Sequence, residues 1–262
     1  MKRRLLSPNR LSFAFAAAVA AILAGLSVPK AISATLYWDA NDGEVGFGDA
    51  TGTWSAPTPG ATMGGWSTDR TGATVVNGNI VTTTTSDVLN FGHAALGVGA
   101  GFIAVNAVDA GDLSFASSSG AIELAGGAIN LAAVSTITAN NPANIAHTIS
   151  CVLGGAGTSL TKNGTGTVIL NTANLYTGPT NINGGTNSAN FNVITTSGGF
   201  NLTGSGTLAS TGFTLANGGA LTLSNSTGEG GVDRLSNTAG ITSRGGTIAF
   251  NNIPGPDFFG ET

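Results

Sequence analysis

The stretch from Gly155 to Thr186, reading GAGTSLTKNGTGTVILNTANLYTGPTNINGGT, limits what this chain can fold into more than any other. Three short segments of extended character, Ser159–Lys162, Thr167–Asn171 and Thr180–Asn183, are separated by corners of glycine, asparagine and threonine only a few residues long. Apolar residues alternate with polar ones inside each segment, so the period is two and not 3.6. Leu160, Val168, Leu170 and Ile182 read as core. Lys162, between Thr161 and Asn163, reads as part of the solvated face. Strands this short make no stable sheet alone and must stack on similar stretches, as one turn of a coil stacks on the next.

The flanking sequence supplies such stretches. From Thr74 the chain is a succession of short alternating segments at Thr74–Val76, Ile80–Thr84, Val88–Phe91, Phe102–Val105, Asp112–Phe115, Ala121–Leu124 and Ala128–Leu131, punctuated by glycine and interrupted by no candidate helix. A unit of two glycines followed by an apolar-polar-apolar run recurs at Gly126-Gly127, Gly218-Gly219 and Gly245-Gly246, with a looser form at Gly198-Gly199. The last three starts lie 20 and 27 residues apart, a spacing suited to solenoid coils of about 20–30 residues. Asn77-Gly78 and Asn217-Gly218 are each able to turn a hairpin, which keeps an antiparallel alternative open.

Residues 1–34 read as a secretory signal. Lys2, Arg3, Arg4 and Arg10 form a positive start, Leu11 to Leu26 is almost continuously apolar, and Ala31-Ile32-Ser33-Ala34 offers small residues for cleavage. An uncleaved anchor is the competing reading, but the apolar run is shorter than the roughly 20 residues a spanning helix needs. Residues 35–70 follow as an expected N-terminal cap. They hold all three tryptophans, Trp38, Trp54 and Trp66, and a solenoid exposes its apolar interior at its ends unless an atypical segment covers it. A sugar-stacking aromatic platform is the functional alternative there, with Pro57 and Pro59 marking a loop. Residues 71–262 are then the solenoid proper.

Composition excludes several functions. Five of the nine basic residues precede Thr35 while all thirteen acids follow it, so what remains after cleavage is distinctly acidic, fit neither to track a nucleic-acid backbone nor to be drawn to an anionic bilayer. Only 8% of residues are charged, and the polar surface has to come from Thr, Ser and Asn. The single cysteine, Cys151, permits no internal disulfide, so stability rests on strand ladders and stacking.

Candidate chemistry is sparse. Arg70, Lys162, Arg234 and Arg244 are too scattered to suggest a site, and Asp109 and Asp112 read as turn acids at strand ends. Asp39-Ala40-Asn41-Asp42-Gly43-Glu44 gathers oxygen ligands around a glycine but fails the spacing of a calcium loop. His93, His147 and Cys151 show no zinc or triad spacing, and a pairing of His147 with Cys151 would need a helix that the pattern does not support. The sequence therefore assigns no catalytic, cofactor-binding or metal residues, no cofactor and no enzymatic activity.

The 155–186 stretch resembles the autotransporter-associated β-strand repeat. Leu160-Thr161-Lys162, Gly164-Thr165-Gly166-Thr167, Val168-Ile169-Leu170, Asn174-Leu175-Tyr176-Thr177-Gly178 and Thr180-Asn181-Ile182-Asn183-Gly184-Gly185-Thr186 follow that pattern in order. It departs at Pro179, where a second glycine is usual, and at Asn187-Ser188, where an apolar strand start is expected. The resemblance implies an all-β protein, a right-handed parallel β-helix preceded by a signal peptide, exported to the bacterial outer surface as a passenger-type stalk. Its expected role is structural display or adhesion, its expected partners the secretion machinery and cell-surface glycans or envelope components, with no nucleic acid. A carbohydrate-active or carbohydrate-binding β-helix is the alternative. Ending at Thr262 with no stretch that reads as a translocator barrel, the sequence is expected to be a fragment or a barrel-less relative of such passengers.

Overall fold

The structure, a computed structural model, describes residues 33–41, 43–55, 65–74, 81–142, 144–184, 199–203, 205–225 and 234–252. The expected signal at 1–34 and the loop at Pro57 and Pro59 lie almost wholly outside those residues, as do Asn77-Gly78 and Asn187-Ser188. Ala34 is already joined to the fold, donating its N–H to Asp87 Oδ1 at 2.8 Å and accepting the N–H of Val88 at 2.8 Å.

Every regular element among the described residues is a strand. In chain order they are β1 (Thr35–Asp39), β2 (Thr53–Trp54), β3 (Gly65–Ser67), β4 (Val88–Phe91), β5 (Gly101–Val105), β6 (Val108–Ala110) and β7 (Asp112–Phe115). The middle holds β8 (Ile122–Leu131), β9 (Val134–Ala139), β10 (Ala146–Gly154), β11 (Ser159–Asn163), β12 (Thr167–Leu170), β13 (Ala173–Asn174) and β14 (Thr180–Asn183). Last come β15 (Gly199–Leu202), β16 (Thr207–Leu208), β17 (Gly212–Ala216), β18 (Ala220–Asn225), β19 (Gly240–Arg244) and β20 (Thr247–Asn252).

These strands wind into a parallel β-solenoid. One nine-stranded sheet runs β19-β17-β14-β11-β9-β7-β4-β1-β3 and a second runs β2-β5-β8-β10-β12-β15-β18-β20, with β6 also on β8 and a small β13-β16 pair at a third position. From β7 to β12 successive strands alternate between the two sheets, and from β14 onward they do so with only β16 set aside at the third position, so each coil lies on the one before it. The antiparallel alternative is thereby set aside: β1 against β3 is the single antiparallel strand pair among the described residues. Asn217-Gly218, a potential hairpin turn, instead passes the chain from β17 in one sheet to β18 in the other, both residues in the left-handed region at φ 52° and 76°.

Two other expectations change. Ala121–Leu124 and Ala128–Leu131 are parts of one long strand, β8, which pairs with β5 before Gly126-Gly127 and with β6 after it. The glycines let the backbone bend there, and β10 crosses the same place with a register shift between Ser150 and Val152. The strand expected at Ile80–Thr84 is not formed over 81–84. Thr83 is buried instead, accepting Trp54 Nε1–H at 3.0 Å and donating to the Asp109 carbonyl at 2.6 Å, so its segment is anchored by side-chain bonds and not by a ladder.

Between the sheets lies one continuous core. From the second sheet Ile103, Leu124, Ile149, Leu170, Leu202 and Leu223 stack in register, all buried. From the first sheet the matching column is Leu89, Leu113, Ile137, Lys162, Ile182 and Leu215. An inward row with a lysine in it is the feature on which the interior chemistry turns.

Candidate functional site

Strand parity places Lys162 inside. Leu160 faces the core, and a residue two positions along a strand shares its face, so Lys162 must follow it in. The expectation of a solvated Lys162 is therefore wrong: the side chain is fully buried, and its Nζ donates to the carbonyls of Asn163 and Gly164 at 2.8 and 3.0 Å. The ammonium reaches forward and closes the corner that follows its own strand. Burial lowers its pKa from 10.5 to about 8, while the two carbonyl acceptors act in the opposite sense.

Next to it in the core is His147 on β10. Its ring stacks on Phe115 with centroids 4.1 Å apart, Nε2 lies 2.6 Å from Asn141 Oδ1, and Nδ1 faces the Ile122 N–H at 3.4 Å. Asn141 is itself fixed by donating Nδ2–H to the Ser119 carbonyl at 2.6 Å. Burial, and secondarily the positive charge of Lys162, hold the imidazole pKa down from 6.5 to about 4. Neutral His147 fits this setting, since an imidazolium there would add a second unpaired cation to the interior.

An aromatic chain leads from this layer to the N-terminal end. Trp38 and Trp54 each meet Trp66 edge to face at 5.3 and 5.2 Å, Trp66 meets Phe91 at 5.5 Å, and Phe91 stacks on Phe115 at 4.8 Å. All three tryptophans are buried, 1% exposed at most, so they do not form an open sugar-stacking platform. They fill the interior beside the antiparallel β1–β3 pair.

The remaining sequence candidates are engaged in local and inter-coil contacts or lie at the surface. Asp109 accepts Asn130 Nδ2–H at 2.9 Å and Asp112 accepts the Thr136 N–H at 2.7 Å, so both tie adjacent coils. Asp39 Oδ1 accepts the Asn41 N–H at 3.1 Å in a local turn. Cys151 is buried and its thiol pKa is pushed up to about 12, which removes the thiolate that nucleophilic chemistry would need. His93 sits edge-on to Tyr37 at 5.5 Å beside a surface cleft. Among the described residues no three His, Cys, Asp or Glu side chains gather as metal ligands.

Asn141 and Ser119 carry no signal in the sequence, and Arg234, there only one of four scattered bases, turns out to be an interior cation. Arg234 is fully buried and donates Nη1–H to the Gly206 carbonyl at 2.9 Å and Nη2–H to the Ser224 carbonyl at 2.7 Å. Like Lys162, it binds main-chain oxygens of neighbouring corners. The interior cations thus serve the path of the backbone.

Outside, the strands present hydroxyl and amide groups. Thr136, Thr161, Asn181, Thr214 and Thr242 lie in register on the outer face of the first sheet. Asn90, Ser114, Thr138 and Asn163 form a second row, extended by Asn183, whose Nδ2–H reaches Asn163 Oδ1 at 3.0 Å.

With this geometry in place, comparison with known proteins gives one result. Residues 160–186 match the family model described as Passenger-associated-transport-repeat. No curated protein and no solved structure matches the chain. The match runs from the inward Leu160 of β11 to just beyond β14, one coil from a first-sheet strand to the next. The chain is accordingly a parallel β-solenoid that carries the passenger-associated-transport repeat as one of its coils.

Proposed function

We propose that this protein is an exported, passenger-type right-handed β-helix that works without catalysis, as a rigid element for display or adhesion at the bacterial cell surface. The observation that carries the reading is the coincidence of the repeat at 160–186 with a full coil of the solenoid. A parallel stack adds length coil by coil without a new core, which suits a stalk. The polar residues with shifted pKa values support a structural role. His147 and Lys162 are shut away from any substrate, and the thiol of Cys151 is held neutral.

The signal-like start at 1–34 supports export, and outer-membrane association follows from the passenger character of the repeat. Envelope components and cell-surface glycans are the partners that fit a hydroxyl-rich exterior of low charge density; nucleic acid does not fit a chain of net negative charge. The reading is tested by expressing the full chain in a Gram-negative host and treating intact cells with a protease that cannot enter them. The chain is expected to be cleaved on intact cells. Full protection there, with cleavage only after lysis, would overturn surface display.

A further inference from the structure

Resting on the display reading above, we propose that the outer face of the first sheet binds an uncharged, extended polysaccharide, with one end of the chain seated in the cleft at Asn90, His93, Ser114 and Asn140. The two outer rows supply ten positions' worth of the same chemistry: Thr136, Thr161, Asn181, Thr214 and Thr242 in one, and Asn90, Ser114, Thr138, Asn163 and Asn183 in the other. Each is a hydroxyl or an amide, able to donate and accept. Rungs repeat at about 4.8 Å and the rows stand about 7 Å apart, because neighbours on one face of a strand are two residues apart. That rise approximates the length of one sugar unit in an extended chain, so successive units meet successive rungs.

Charge decides the class of polymer. Lys162 belongs to these strands but is turned into the core, and Asp112 at the row's start is engaged by the Thr136 N–H. An acidic glycan or a nucleic acid finds no cation along the rows until Arg244, and the exposed aliphatic group on this face, Val134, stands two residues before Thr136 and outside both rows. The second sheet does not offer the same surface: its corresponding outer row reads Phe102, Glu123, Thr148, Ile169, Asn201 and Thr222, broken by two large apolar groups and a charge.

The rows also begin in a concavity. A cleft of about 210 Å³ is lined by Asn90, His93, Ser114, Ala116, Ser117 and Asn140, neutral groups with donors and acceptors converging on it. Asn90 uses Nδ2–H on the Leu36 carbonyl at 3.1 Å, leaving Oδ1 as its acceptor. His93 is fixed by its edge contact with Tyr37, so the imidazole is oriented before any ligand arrives.

The test is retention of the full chain on insoluble cellulose, chitin and β-1,3-glucan, with polygalacturonate as the acidic comparison. Retention is expected on at least one neutral polymer, undiminished by added salt. Thr138→Asp should weaken it about tenfold or more, and Thr222→Asp on the outer face of the second sheet should leave it unchanged. Ser114→Ala provides a milder variant, and circular dichroism confirms that each variant folds. Absence of retention on all three neutral polymers, retention on polygalacturonate alone, or equal losses from Thr138→Asp and Thr222→Asp would overturn the assignment. A chain cleaved on intact cells yet retained by no neutral glycan would sink this proposal and leave display standing.

Discussion

The first and last described coils of the solenoid bury their interiors differently. At the N-terminal end an antiparallel strand, β3, covers β1, and Trp38, Trp54 and Trp66 fill the first coil so that none is more than 1% exposed. At the other end every residue of β19 is exposed, and Ile241 stands 44% open. A stacked coil is stable only insofar as both of its neighbours bury its interior, so the closed end should carry far more stability per residue than the last described coil. In between, the run of touching rings that begins at Trp38 ends where His147 stacks on Phe115, and the buried aromatics beyond it, Tyr176, Phe200 and Phe213, are interspersed with aliphatic side chains.

Truncating the tryptophan at the centre of the aromatic cluster should show the difference most strongly. Trp66 touches Trp38, Trp54 and Phe91 at once, so Trp66→Ala leaves a large cavity and uncovers the first coil. The expected loss is about 3–5 kcal/mol in chemical denaturation. A loss below about 1 kcal/mol would mean that the aromatic end is not what closes the stack.

The polar layer should give the solenoid a pH signature of somewhat smaller size. The folded pKa of Lys162 is about 8 against 10.5 unfolded, so between those values the unfolded chain holds a proton that the folded chain lacks. Stability then rises with pH from about 8 to 10.5, by on the order of 3 kcal/mol. His147, about 4 folded against 6.5 unfolded, contributes stability that is complete above 6.5 and is lost as pH falls through 4, by a similar amount. Urea midpoints across pH 3.5 to 10.5 check both limbs. Lys162→Met should abolish the alkaline limb and leave the acid one, and persistence of the alkaline limb would place its origin elsewhere.

Coil contacts set the next effect. A Cβ on Gly178 would lie 2.2 Å from the Thr158 carbonyl oxygen, main chain against main chain in the neighbouring coil. Gly178→Ala should therefore cost about 1–3 kcal/mol, measured as a lowered urea midpoint, because the coil has to shift as a whole. This glycine is the last residue of Tyr176-Thr177-Gly178, so a part of the repeat that reads as a turn signal is in fact a clearance requirement.

The sequence disclosed the winding itself, because alternation, short segments and recurring glycine pairs are local properties. Thr180–Asn183, Val88–Phe91 and Asp112–Phe115 are strands at those bounds. Lys162 was misplaced because charge was weighed above parity, although Leu160 two residues earlier already fixed its face. Asn141 and Ser119 were illegible for another reason. Their roles depend on which corner lands beside His147, and that is set by coil lengths that vary along the chain. The same holds for Arg234, whose acceptors Gly206 and Ser224 lie far apart in sequence and meet only through stacking. Ile80–Thr84 shows the converse: its threonines read as strand, but Thr83 is held by Trp54 and Asp109, partners no local pattern could name.

The smallest effect belongs to the C-terminal coil, and its smallness is what gives the comparison its force. A Cβ on Gly240 meets no atom within 4 Å, and Ile241 is 44% exposed, so the first has no clearance to lose and the second buries little more than half of its side chain. Gly240→Ala should change stability by no more than about 0.5 kcal/mol, the range of surface substitutions remote from any special contact, and Ile241→Ala should cost only about 1 kcal/mol for a half-buried side chain. Ile241 stacks on Phe213, which is buried, so its truncation also reports how tightly β19 seals the coil beneath it. Were Ile241→Ala to cost as much as Trp66→Ala, the last described coil would have to be covered as firmly as the first, and the asymmetry between the ends would disappear.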